Sequence, residues 1–185
     1  CAGIESGDAT GWPATDWIEN VILRENGPEV YDQWVDHDIP FNDPKIADAF
    51  GRADQILRNP DYVNGGLGNV QSIAITSFQE AGLPILDGDC GMYLMGSFYA
   101  AQWPEDTEVG ENGDVYAFNL PPIDPEQGTP VMGGGEFVGS FADRPEVAAV
   151  REYLATAQYA NNRAAEGAWF SAHRGLDLET LEVPT

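Results

Sequence analysis

The chain has 185 residues, 43% of them hydrophobic, which is enough for one full domain with a core of its own. Its 31 acidic residues outnumber 8 basic ones, and the resulting formal charge of −23 repels nucleic acid and anionic lipid. No apolar run approaches the length of a membrane helix. We therefore expect a folded protein with a solvated acidic surface, of the kind found in salt-adapted or extracellular proteins, and no nucleic-acid partner.

The first predicted helix lies near the start of the chain. Thr15 is a suitable N-cap, Trp17 begins the apolar stripe, and Gly27 is expected to end the helix. Residues 28–35 are expected to form a further helical turn.

The clearest helix follows Asn42 or Asp43, either of which can cap it, and Pro44 suits its first turn. A later helix is expected to contain Phe78. The apolar side chains of the clearest helix repeat at helical spacing and are expected to be buried: Ile46, Phe50, Ala53 and Leu57.

Three short apolar stretches predict strands, at residues 91–98, 114–123 and 136–141. A helix is expected to follow, with Asp143 and Glu146 in the arrangement of a capping box. Strands alternating with helices indicate an α/β fold. The buried face of this helix is expected to hold Val147, Val150, Leu154 and Ala157.

Three consecutive glycines, Gly133 to Gly135, precede the third predicted strand. A phosphate-binding loop needs its glycines between a strand and a helix, followed by Lys and Ser or Thr. Here an apparent strand follows instead, and the carboxylate of Glu136 would repel a phosphate. A hinge between lobes, a backbone surface for a ligand and a plain tight turn all remain open.

Residues 5–17, ESGDATGWPATDW, combine aromatic rings with carboxylates and hydroxyls. Sugar sites pair flat aromatic faces with groups that accept hydrogen bonds from hydroxyls. Trp12, in a loop between glycine and proline, is the better candidate for a ligand face, whereas Trp17 is expected in the core. The same acids would alternatively supply the acid/base pair of a glycosidase.

No sequence pattern supports a metal site or a catalytic triad. His37 and His173 are isolated from any metal-ligand or triad spacing, and no G-x-S-x-G motif is present. The acidic stretch 105–114 lacks the ligand spacing of a calcium loop. We predict no catalytic residue, no metal site and no cofactor.

The two cysteines, Cys1 and Cys90, are compatible with one disulfide in an oxidising compartment or with two unrelated buried thiols. A third interpretation makes Cys1 the lipid-modified first residue of a lipoprotein. Such anchors usually precede a flexible tether, and the residues after Cys1 have the pattern of a folded segment.

Six stretches carry a family resemblance: residues 1–34 (from CAGIESGDATGW to EVYDQW), 39–50 (IPFNDPKIADAF), 88–98 (GDCGMYLMGSF), 114–123 (DVYAFNLPPI), 133–156 (GGGEFVGSFADRPEVAAVREYLAT) and 171–181 (SAHRGLDLETL). In this order, over nearly the whole chain, they resemble the extracellular sugar-binding proteins of bacterial ABC importers. The likeness is greatest to the α-glucoside-binding branch, which is related to maltose-binding protein.

The resemblance implies a type II periplasmic-binding-protein fold, with α/β lobes of three helix–sheet–helix layers and a sugar clamped between them. Family chains are longer, so this chain is expected to be a fragment that lacks the first lobe and has an incomplete second one. Residues 1–132 would form one lobe, 133–142 an inter-lobe crossing strand, and 143–185 a helical segment of the other lobe. A disulfide between Cys1 and Cys90 would tie the opening segment to the central strand.

The function implied by the resemblance is extracellular or periplasmic capture of a carbohydrate, an α-glucoside oligosaccharide. The sugar would pass unchanged to the membrane permease subunits of an ABC importer, and a lipoprotein anchor would tether the full-length protein. A glycoside hydrolase fragment and a structural or adhesive domain are the alternatives. The substrate-binding positions implied by the resemblance are Phe98 as a sugar-stacking ring, Gly134, Gly135 and Glu136 on the crossing, and Trp12 and Asp16 on a cleft-facing turn.

Overall fold

The computed structural model describes residues 1–64, 67–167 and 169–181. Its α-helices are α1 (Trp12–Val35), α2 (Pro44–Leu57), α3 (Phe78–Ala81), α4 (Pro145–Leu154) and α5 (Ala157–Ala164). Short 3-10 helices occur at Gly7–Ala9, Val70–Ala74, Leu83–Ile85, Ser97–Gln102, Pro125–Gln127 and Leu178–Thr180.

The chain divides into two compact units, which are described separately. The first unit contains Cys1–Met95 and Ala117–Gly133, and the second contains Gly96–Tyr116 and Gly134–Thr185. The division falls between the first and second glycines of the triple-glycine stretch.

Helix α1 begins three residues before the predicted cap. Gly11 is the N-cap, with a left-handed φ of 112° that favours glycine, and Pro13 occupies the first turn. Thr15 lies inside the helix, and its hydroxyl donates a hydrogen bond to the carbonyl of Trp12 at 2.8 Å. The prediction of Thr15 as the cap was therefore wrong, because glycine and proline set the start of the helix one turn earlier.

Gly27 interrupts α1 as predicted, but it produces a kink and does not end the helix. Its φ of 81° and ψ of 170° lie outside the helical region, and Pro28 begins the second helical part, which continues to Val35. A core cluster forms on both sides of this kink. Its buried members are Val21, Ile22, Val30, Ile46 and Ala49.

Helix α2 follows the sequence prediction closely at its start. The carboxylate of Asp43 accepts a hydrogen bond from the amide of Lys45 at 3.0 Å, and Pro44 is the first helical residue. Ala49 has no exposed surface, whereas Phe50 is 38% exposed and packs against Phe41. The prediction that Phe50 is buried was wrong, because Ala49 provides the surface that α1 contacts.

The opening residues are fixed to the rest of the first unit by polar and covalent contacts. The side chain of Asn64 accepts a hydrogen bond from the amide of Ala2 and donates one to its carbonyl, both at 3.0 Å. Cys1 and Cys90 form a disulfide with their Cα atoms 5.7 Å apart, which confirms the predicted pairing. Since this bond occupies the sulfur of Cys1, the structure does not support a lipid-modified Cys1.

The second unit contains α4 and α5. Thr156 caps α5 by accepting a hydrogen bond from the amide of Tyr159 at 3.1 Å. The predicted capping box of α4 was wrong, because Arg144 is the N-cap and makes no side-chain cap bond. None of the residues of α4 is buried, and Val150 is 59% exposed, which contradicts its predicted buried face.

The three predicted strands do not form a sheet in the part of the chain that the structure describes. The pairing seen there is limited to isolated bridges between Glu5 and Ser77 and between Val109 and Val115. A strand needs a neighbouring backbone to bond with, and apolar sequence alone does not provide one. The end of the first predicted strand instead enters the 3-10 helix Ser97–Gln102. The α/β lobe expected from the sequence is therefore not seen in the described residues.

Candidate functional site

Three polar side chains follow one face of α1 at intervals of four residues: Asp16, Asn20 and Arg24. The side-chain amide of Asn20 donates a hydrogen bond to the carbonyl of Asp16 at 2.8 Å. Arg24 donates from Nη1 to Oδ1 of Asn20 at 2.7 Å. Asn20 and Arg24 are 7% and 4% exposed, so this polar row extends from a partly exposed carboxylate into the interior.

Arg24 fastens a distant part of the chain to α1. Its Nε donates to the carbonyl of Leu120 at 3.0 Å, and its own carbonyl accepts from the amides of Ile123 at 3.2 Å and Asp124 at 2.9 Å. Further along the same segment, Sδ of Met132 lies 3.7 Å from Nδ2 of Asn20. The polar row therefore positions the segment 117–133 along α1.

Arg24 carries a buried positive charge whose hydrogen-bond acceptors are neutral. Among the described residues, the ion pairs involve other arginines: Arg52 with Glu25, and Arg58 with Asp54. Burial lowers the pKa of Arg24 below its usual value, because the charged form loses contact with water. The hydrogen bonds to Leu120 and Asn20 therefore compensate in part for the cost of removing the guanidinium from water.

Of these three residues, Asp16 is the best candidate for binding a ligand. Burial, together with the nearby charge of Glu19, raises the pKa of Asp16 to about 6. Glu19 is itself held by Tyr31, whose hydroxyl donates to Oε2 at 2.7 Å. Burial and this bond to Glu19 raise the pKa of Tyr31 to about 12, so Tyr31 remains a neutral donor. Asp16 can therefore accept hydrogen bonds when ionised and donate one when protonated, near neutral pH.

Trp12 lies one helical turn before Asp16, so the indole and the carboxylate are on the same side of α1. The indole is partly exposed and packs edge-on against Phe78, with ring centroids 5.0 Å apart and planes at 68°. The structure thus brings together two of the sequence-predicted binding residues. A ring beside a carboxylate can contact both the apolar face and the hydroxyl groups of a sugar.

The other predicted binding residues belong to the second unit. Phe98 is 38% exposed on the 3-10 helix Ser97–Gln102. Gly134, Gly135 and Glu136 are exposed and have no regular secondary structure. No glycine of the triple-glycine stretch has a left-handed φ, and a Cβ on any of them would meet no atom within 4 Å. The backbone of the described chain thus does not itself require glycine there.

Sequence reasoning missed Asn20 and Arg24. The signal was present, because polar residues recur every four positions at 16, 20 and 24 and therefore share one face of the helix. Within the described residues there is no cluster of His, Cys, Asp or Glu arranged to hold a metal ion. The helices described there are also too short or too polar to span a bilayer.

No protein-family model and no solved structure matches the sequence. Among curated proteins, it is 38% identical over 180 residues to the osmoprotective compounds-binding protein GgtB of Synechocystis sp., covering 96% of this chain and 41% of that protein. It is 38% identical over 160 residues to the alpha-glucosides-binding periplasmic protein AglE of Rhizobium meliloti, covering 84% of this chain and 34% of that protein. The chain is homologous to the solute-binding proteins of ABC importers.

A third relative is more distant. An uncharacterized ABC transporter extracellular-binding protein of Pyrococcus horikoshii is 27% identical over 112 residues, covering 56% of this chain and 23% of that protein. The three relatives confirm the family resemblance seen in the sequence. The chain spans about two fifths of the Synechocystis solute-binding protein and about one third of the Rhizobium one.

Proposed function

We propose that this chain is part of an extracellular solute-binding protein that captures an α-glucoside, or a related polyhydroxylated osmoprotective compound, and delivers it to an ABC permease. This class of ligand is supported by the relatives, because the Rhizobium protein binds alpha-glucosides and the Synechocystis protein binds osmoprotective compounds. The observation that carries the proposal is the placement of Trp12 and Asp16 one turn apart on α1, beside a polar network that holds them in position.

Each group has a distinct task in this proposal. The indole of Trp12 covers an apolar C–H face of the sugar, which favours sugars over flexible polar solutes. Ionised Asp16 accepts hydrogen bonds from two hydroxyls, and such charge-assisted bonds are stronger than neutral ones. Binding is non-covalent, so the sugar leaves unchanged.

The residues of the second unit belong to the same proposal. Within that unit, Phe98 is proposed as a ring that stacks on a sugar. The backbone of Gly134 and Gly135 and the carboxylate of Glu136 are proposed as further sugar contacts, on the family resemblance alone. Their exposure in the second unit leaves them accessible to a ligand.

Isothermal titration of the chain with maltose at pH 7.5 tests the proposal, with cellobiose, the β-linked isomer of maltose, as the ligand control. We expect binding of maltose, weakened at least about fivefold by Asp16→Asn and about tenfold by Trp12→Ala, where tenfold corresponds to about 1.4 kcal/mol. The matched control is Asp32→Asn, which makes the same change at an exposed position of α1 and should leave affinity unchanged.

Three results would count against the proposal. If the chain binds none of maltose, trehalose and sucrose at millimolar concentration, the assignment of a sugar-binding surface to this chain is refuted. Equal effects of Asp16→Asn and Asp32→Asn would remove Asp16 from the site. Release of glucose from maltose during incubation would replace a receptor with a glycoside hydrolase.

A further inference from the structure

The indole of Trp12 lies at the start of α1, where the helix itself does little to fix its orientation. A helical side chain normally lies over the turn that precedes it, and Trp12, as the first helical residue, has no such turn. Gly11 before it has no side chain to pack against the partly exposed ring. A large side chain that changes rotamer freely loses this freedom when a ligand binds, which weakens the complex. A sugar-binding indole therefore needs a neighbour that holds it in place.

The ring of Phe78 contacts this indole in a directional way. Phe78 is the first residue of α3 and is partly buried. Its ring centroid lies 5.0 Å from that of Trp12, and the planes meet at 68°. Edge-to-face pairs of this kind are favourable beyond the area that they bury, and the attraction depends on the angle between the rings. The contact therefore favours one orientation of the indole over the others.

Hydrogen bonds join the backbone segments that carry the two rings. The residue before the indole, Gly11, donates from its amide to the carbonyl of Ile4 at 2.9 Å. The next residue, Glu5, donates to the carbonyl of Thr76 at 3.1 Å, and its own carbonyl accepts from the amide of Phe78 at 3.1 Å. The two rings are thus attached to one hydrogen-bonded piece of backbone, which fixes the distance between them.

Tyr93 holds Phe78 from a second direction. Its hydroxyl donates to the carbonyl of Phe78 at 2.8 Å. Tyr93 follows Cys90 closely in the chain, and the disulfide of Cys90 with Cys1 joins this segment to the opening residues. Phe78 is therefore held through both its amide and its carbonyl.

We propose that Phe78 is a positioning residue of the sugar site, which holds the indole of Trp12 in the orientation that covers the sugar, and that Tyr93 in turn holds Phe78. This inference rests on the proposed function, which makes Trp12 a sugar contact. Phe78 acts through the indole and not on the sugar. Its effect on affinity should therefore disappear when the indole is absent.

A double-mutant cycle, measured by isothermal titration with maltose at pH 7.5, tests this role. Phe78→Leu keeps an apolar side chain but removes the ring, and it should weaken binding about fivefold. Phe78→Tyr keeps the ring and should bind within about twofold of the unsubstituted chain. In the Trp12→Ala background, Phe78→Leu should have no further effect. Additive losses would show that Phe78 contacts the sugar itself and would overturn the positioning role.

Fluorine NMR of the chain labelled with fluorotryptophan reports on the indole directly and requires no ligand. The chain has five tryptophans, and the signal of Trp12 is the one that Trp12→Phe removes. In Phe78→Leu this signal should move toward its position in the unfolded chain, because the indole then averages over several rotamers. Tyr93→Phe should move it in the same direction by a smaller amount. The signals of the other tryptophans should stay in place, which separates a released indole from a lost fold.

Phe41→Leu is the matched control, because Phe41 packs against another indole of the first unit, that of Trp34, with ring centroids 5.6 Å apart. It should change neither the maltose affinity nor the signal of Trp12. If the signal of Trp12 ignores Phe78→Leu, or responds equally to Phe41→Leu, the proposal is overturned. Failure of the unsubstituted chain to bind maltose would refute the proposed function instead, and the fluorine signal would still decide whether Phe78 holds the indole.

Discussion

Replacing the buried guanidinium of Arg24 should destabilise the first unit measurably. Arg24→Met keeps an unbranched side chain that replaces most of the aliphatic part of arginine, but it removes the hydrogen bonds to the carbonyl of Leu120 and Oδ1 of Asn20. Each such charge-assisted bond contributes about 1.5–3 kcal/mol, so about 3–6 kcal/mol is lost. Removing a charge buried without a carboxylate partner recovers part of that loss. We expect a net decrease of about 2 kcal/mol in the free energy of unfolding.

Two assays report this change. Urea unfolding, followed by Trp fluorescence, measures the free energy of unfolding of the chain. Hydrogen exchange measures it locally, because the amides of Ile123 and Asp124 donate to the carbonyl of Arg24. A local loss of about 2 kcal/mol should make these two amides exchange about 30-fold faster.

Arg52→Met is the matched control. Arg52 is also an arginine at a helical position, but its side chain is 50% exposed and pairs with Glu25 at 2.8 Å. An exposed ion pair of this kind contributes less than about 1 kcal/mol. If Arg24→Met costs no more than Arg52→Met, or if the amides of Ile123 and Asp124 do not respond, the structural role given to Arg24 is refuted.

Three further predictions concern the first unit. Asn64→Ala should lower the free energy of unfolding, measured in urea, by about 3 kcal/mol, since it removes two hydrogen bonds to Ala2 and leaves alanine at a φ of 52°. Asn64→Gly relieves only the backbone strain and should recover a minor part of this loss. Full recovery of the lost stability in Asn64→Gly would contradict the role given to the hydrogen bonds. Reduction of the Cys1–Cys90 disulfide, which closes a loop with a sequence separation of 89, should lower stability by about 4–5 kcal/mol; an unchanged urea midpoint in dithiothreitol would contradict this. Because the folded-state pKa of Asp16 is raised from 3.8 to about 6, the folded state binds this proton more tightly, and the associated stability is present below pH 4 and lost as the pH rises to 6. Asp16→Asn should therefore stabilise the chain by about 1 kcal/mol above pH 6, after allowance for solvent screening, and have no effect below pH 4; urea midpoints from pH 4 to 7.5 that move in parallel for both proteins would rule it out.

Helix α2 illustrates what short-range sequence information predicts well. The Asp43 cap and Pro44 act within one helical turn, so the start of the helix does not depend on distant residues. Gly27 likewise interrupts α1 where the sequence places it, since its conformational freedom is a property of the residue itself. The N-cap of α1 was predicted wrongly at Thr15 because two local signals competed there. The signal from Gly11 and Pro13 determined where the helix begins.

The candidate site was only partly predictable. Trp12 and Asp16 were predicted as binding residues because their types suit a sugar and because the family resemblance implies a cleft-facing turn there. The helix that joins them follows from local sequence. Asn20 and Arg24 acquire their role only through Leu120 and the segment around it, about a hundred residues away in sequence. The raised pKa of Asp16 depends on burial, which is a property of the folded chain.

By itself, the sequence determined the family resemblance, the disulfide that the resemblance implies, the helix start at Pro44 and the break at Gly27. These depend on composition, on interactions within a turn or on ordered similarity to relatives. Only the tertiary structure decided that Arg24 is buried against neutral acceptors. It also decided that residues 91–98, 114–123 and 136–141 form no sheet among the described residues, where Val115 makes a single isolated bridge to Val109. The physical reason is that burial and strand pairing are relations between distant segments, and a strand cannot satisfy its backbone alone.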